Sequence, residues 1–86
     1  MTEELTPTEV ETMQIVSIAV VRDLAANASS PRFAAECIAF TEAQRDGDDV
    51  VEFCSSLQDW RAGMGYSGYR LIRSGETVRQ IIVKLS

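Results

Sequence analysis

An 86-residue chain that is 45% apolar and 24% charged has the composition of a folded domain, which excludes a disordered tail and leaves room for one modest core. Its longest apolar-rich stretch, Ile15 to Val21, is interrupted by Ser17 and falls far short of the roughly 20 residues that cross a bilayer. The opening Met-Thr-Glu-Glu lacks the cationic region of a secretory leader, so residues 1–86 are expected to form a single compact cytoplasmic domain without membrane contact.

Thr6-Pro7-Thr8-Glu9 has the spacing of a capping box with proline at the first helical position. It predicts a first helix from Pro7 to about Ala26, with Val10, Met13, Val20, Val21 and Leu24 on one side and Ile18 and Ala25 at its flank. Ile15 and Val16 fall off that stripe, and so broad an apolar surface points to a helix that is central or shared with a second copy. Asn27 to Ser30 form a loop, and Pro31 opens a second helix whose apolar side is Phe33, Cys37 and Phe40; Arg45 and Gly47 mark its end. Asp48 or Asp49 is expected to cap a third helix, with Glu52 completing a box with Asp49. Val50, Phe53, Cys54, Leu57, Trp60 and Met64 then recur at three- and four-residue steps. The glycines of the 63–68 segment break that helix, and Tyr69–Arg73 with Thr77–Leu85 read as a hairpin with Gly75 at the reversal. Loops of two or three residues place opposite faces of the last strand on Tyr69 and Leu71, so the register stays open. The expected fold is α+β, three helices followed by a C-terminal antiparallel β-hairpin.

The chain has no histidine, which removes imidazole bases, imidazole metal ligands and a histidine pH switch together. Cys37 and Cys54 form no CxxC pair and read as buried thiols; zinc would need two copies to pool four of them. The glycine-rich turn follows a helix and has no Gly-Lys-Ser/Thr, so it lacks the means to bind a nucleotide. No enzyme activity, catalytic residue, cofactor or metal is expected. Glu42, Asp46, Asp48, Asp49 and Glu52 crowd within eleven residues, but Gly47 precedes the aspartate pair and a calcium loop fails. The cluster reads either as a solvated cap and helix end or as an acidic contact patch extended by Asp59. Beside it Trp60 belongs to the apolar stripe, whereas Tyr66, close to glycines on both sides, is expected to be an exposed interface anchor.

Charge is sorted along the chain: residues 1–60 carry a balance of −9 and residues 61–86 one of +4, within a net −5. Leu71-Ile72-Arg73-Ser74-Gly75-Glu76 and Ile82-Val83-Lys84-Leu85-Ser86, after three helices, resemble the wing of bacterial winged-helix regulators. That resemblance implies a DNA-binding regulator whose third helix reads the major groove. Glu52 and Asp59 on that helix oppose it, because phosphate neutralisation supplies much of DNA affinity. The leading expectation is a small acidic protein-binding module, a non-catalytic inhibitor that occupies a basic, nucleic-acid-binding surface of a protein partner. In size and charge it is similar to phage anti-CRISPR and other anti-defence proteins, an analogy of class without a shared motif. Glu42, Asp46, Asp48, Asp49, Glu52, Asp59 and Tyr66 are the expected contact residues, and a homodimer through helix one or the hairpin edge is a second expectation.

Overall fold

The computed structural model describes residues 12–85. In chain order these form β1 (Thr12–Val16), α1 (Ala19–Asn27), α2 (Pro31–Ala43), β2 (Asp49–Cys54), α3 (Leu57–Arg61), β3 (Tyr66–Arg73) and β4 (Glu76–Leu85). The strands make one antiparallel sheet in the order β1-β2-β3-β4. The class is α+β, but strands and helices interleave, so the expected order of three helices and then a hairpin is wrong, and the winged-helix order goes with it.

The first predicted helix is where the expectation fails earliest. Its capping box at Thr6–Glu9 lies outside the described residues. Met13 and Ile15, one on the expected stripe and one off it, instead share a strand face, pairing with Phe53 and Val51 of β2. Period-two alternation supplies that face, and the β-branched residues suit it. Helix formation begins only after Ser17, whose Oγ accepts from the amide of Ala19 at 3.1 Å. Val21, Leu24 and Ala25 remain the packed side of α1.

Residues 49–54, expected as the start of a third helix, are β2. Val50 is 3% exposed and Phe53 fully buried, yet alternation puts them on opposite faces of the sheet. A strand buried on both faces places apolar residues three apart and so imitates a helical period. Asp49 and Glu52 therefore cap nothing; the short α3 is capped by Ser56, whose Oγ accepts from the amide of Asp59 at 3.2 Å.

Helix α2 forms where the sequence places it. Ser30 accepts from the amide of Phe33, Pro31 opens the helix, and Cys37 and Phe40 are its buried residues. The hairpin also forms, and its loop has two residues: Arg73 pairs with Glu76, and Ser74 and Gly75 have φ of 51° and 80°. Positive φ at both positions is the type I′ geometry that follows the twist of paired strands. Val78 and Val83 are unpaired bulge residues, so Ile81 opposes Tyr69 and Arg79 opposes Leu71.

Helices α1 and α2 cover one sheet face. Val21 and, from α2, Cys37 and Phe40 meet Val50, Leu71 and Ile81 of the three following strands. The Phe40→Ala variant empties the middle of this cluster, and denaturant titration should show a loss of about 3–5 kcal/mol, a large share of the stability of so small a domain.

Candidate partner-binding surface

The loop between α2 and β2 is organised by one carboxylate. Gly47, at φ 88°, turns the chain so that Asp48 points back into the fold, its side chain 2% exposed. Arg73 donates from Nε to Oδ1 at 2.9 Å and from Nη2 to Oδ2 at 2.7 Å. The amide of Arg45 donates to Oδ2 at 2.9 Å, and Nη2 of Arg73 also donates to the carbonyl of Ala43 at 3.0 Å. The Arg73 hydrogen bonds foremost, with the Arg45 amide, hold the Asp48 carboxyl below its ordinary 3.8, and the Asp48 carboxylate in turn raises Arg73.

Among the described residues no helix covers the second sheet face. Alternation puts Met13 and Ile15 of β1, Asp49, Val51 and Phe53 of β2, and Tyr66, Gly68, Arg70 and Ile72 of β3 on it. At one end Phe53 is sealed: the Arg70 guanidinium lies 4.0 Å from its ring centroid, and the Tyr66 ring sits at 5.8 Å, tilted by 57°. Arg70 is fixed there by bonds to Gln80 Oε1 at 2.8 Å and to Met13 Sδ at 3.6 Å. Gly68 is the close-approach position of this face, since a Cβ there would meet the backbone of Ile81. At the other end Val51 floors a groove of about 280 Å³ with Met13, Gln14, Ile15, Ile72 and Gly75 along it. Met13 is 62% and Ile15 68% exposed, so apolar surface lies open to water here.

The acidic residues expected to act together are divided. Glu42, Asp46 and Asp49 are exposed at the end of the sheet where α2 closes, and Glu76, which the sequence reading left out, joins them from the β3–β4 turn. Asp48 is there too, with its carboxylate turned inward and paired with Arg73. Glu52 is on the helix-covered face, where its Oε2 accepts from the Tyr69 hydroxyl at 3.4 Å; Glu52 and burial together raise the Tyr69 pKa, burial foremost. Asp59 is at the opposite end, in the first turn of α3. Tyr66 is half-buried against Phe53 rather than an exposed anchor. Trp60 closes that end, donating from Nε1 to Cys54 Sγ at 3.3 Å beneath Gly65. A helical reading of Met13 and Ile15 hides the groove, whereas the alternation in Thr12-Met-Gln-Ile-Val16 is the signal for it.

Burial, then Glu36, pushes the Cys37 thiol pKa up, away from a thiolate nucleophile. Among the described residues no three histidine, cysteine or acidic groups are placed to hold a metal ion, and no helix is long and apolar enough to cross a membrane. A cleft between α2 and β4 carries Arg32 and Arg79, but Arg32 reaches Glu36 only at 4.0 Å and its side chain is 92% exposed. Comparison with protein-family models, with curated proteins and with solved structures finds no match.

The Asp48–Arg73 contact fixes an acid dependence. A carboxyl whose folded pKa is depressed stabilises fully above its unfolded value, and that contribution is lost as pH falls through the lower folded value. Thermal melts of the wild type should therefore lose stability as pH drops below about 4. Asp48→Asn should melt lower at neutral pH and show a shallower acid slope; parallel slopes would place the acid sensitivity elsewhere.

Proposed function

We propose that this chain is a non-catalytic protein-binding module that inhibits or regulates a partner by occupying a basic surface with apolar neighbours. The observation that carries the reading is the open sheet face, with exposed Met13 and Ile15 beside a Val51-floored groove. Monomeric folds rarely leave such a face wet without a use for it. Asp49 lies two residues from Val51 on the same face, and exposed Glu76 adjoins the groove residue Gly75, which puts acidic groups beside the apolar contact. A partner segment with apolar residues flanked by arginine or lysine suits this pairing, the charges steering approach and the groove supplying lifetime.

Mimicry of a whole nucleic-acid strand has less support than the sequence alone implied. Residues 1–11 hold four of the thirteen acids and no base, so from residue 12 onward nine acids face eight bases. The acidic surface beside the groove is local. The regulator alternative rested on a winged-helix order that this fold does not have.

Capture from the native host followed by nuclease treatment tests the reading, with a stoichiometric protein expected to stay bound. With that partner, Asp49→Lys combined with Glu76→Lys should slow association and flatten its salt dependence. Val51→Thr, similar in shape, should speed dissociation about tenfold by putting a hydroxyl in the groove floor. Loss of the partner on nuclease treatment, or unchanged kinetics in both variants, would reject it.

A further inference from the structure

We propose that the outer edge of β1 is a homodimerisation strand. Two copies pair Thr12–Val16 antiparallel about a twofold axis at Gln14, and the four-stranded sheet becomes eight-stranded.

The two edges of the sheet are built differently. β4 carries the devices that discourage edge pairing: unpaired bulge residues at Val78 and Val83, and charges at Glu76, Arg79 and Lys84. β1 carries none of them. Thr-Met-Gln-Ile-Val has no charge, proline or glycine, it runs in unbroken register with β2, and no described residue pairs with its other side. Its backbone donors and acceptors on that side point along the sheet plane, as a template for another strand.

The sequence of β1 also selects a second copy of itself as the occupant. With Gln14 opposite Gln14 of the second copy, Met13 faces Ile15 and Thr12 faces Val16 in both directions. Cross-strand partners share a face, so both methionine–isoleucine pairs fall on the open side, where these residues are 62% and 68% exposed. The Gln14 amides meet on the other side, each with a donor and an acceptor to offer. Centring on a residue also keeps both helical layers on one side of the joined sheet; a slip by one residue would put them on opposite sides. No like charges meet within the strand. Five paired residues make a contact smaller than the roughly 800 Å² per partner of a standard interface, so the dimer is a weak, concentration-dependent one. The hydrogen bonds of this edge lie in the sheet plane and the groove lies on its face, so the dimer does not depend on the partner proposed above.

Sedimentation equilibrium of the full chain, from low micromolar to millimolar concentration, tests this. The mass should rise from one copy towards two. Ile15→Lys sets a lysine opposite Met13 at an exposed position, and it should stay at one copy with an unchanged circular dichroism spectrum. Gln14→Glu brings two carboxylates face to face across the axis, and it should weaken association about tenfold or more at neutral pH. Association of that variant should recover as pH falls below the ordinary glutamate value of about 4.3. A chain that stays at one copy at millimolar concentration overturns the proposal. So does a dimer indifferent to both substitutions, which would be joined through another surface.

Discussion

The bidentate contact between Asp48 and Arg73 is the point at which the helical layer is tied to the sheet. Four pieces of chain converge on it: the closing carbonyl of α2 at Ala43, the loop amide of Arg45, the entry to β2 and the end of β3. A carboxylate with 2% of its side chain exposed is costly to desolvate, and it persists because three donors satisfy it. Without those donors the turn at Gly47 would have no reason to direct Asp48 inward, and Phe40, near the end of α2, would lose its fixed place above Val50 and Leu71. The same contact takes one acid and one arginine out of the surface charge, which is why the loop is less negative outside than its sequence implies.

With one face tied down by α1 and α2, the other face is covered, among the described residues, by side chains alone. Arg70 and Tyr66 roof Phe53 at one end, a local substitute for a covering helix. Among the described residues no comparable roof covers Val51, and the groove lies there. A single sheet thus has a sealed half and an unsealed half on the same side, and the exposed acids Asp49 and Glu76 stand at the unsealed end. Apolar surface and charge are next to each other there.

Local signals decided what could be read from the sequence. α2 was legible because its start is coded by adjacent residues, Ser30 and Pro31, and its apolar side by Cys37 and Phe40. The hairpin was legible because Gly75 and a β-branched strand announce it, although only the structure shows the two-residue turn. β1 and β2 were missed because strand identity there depends on distant partners. Phe53 is buried by Arg70 and Tyr66, residues far along the chain, and a window around β2 sees only its three-residue spacing from Val50. The acidic set was half legible. Proximity in sequence does place Asp46, Asp48 and Asp49 at one end, but which of them faces inward was settled by Arg73, about two dozen residues on. Glu52 turned to the other face because a strand alternates where a helix would not.

Both covering helices sit in the single connection between β1 and β2, and this sets the order in which a growing chain acquires its parts. Val21, Cys37 and Phe40 are made before any of Val50, Leu71 and Ile81, the surface they rest on. During synthesis α1 and α2 therefore have nothing to bury against except each other. Closure of the interior waits for Ile81, the last of these core residues to be made.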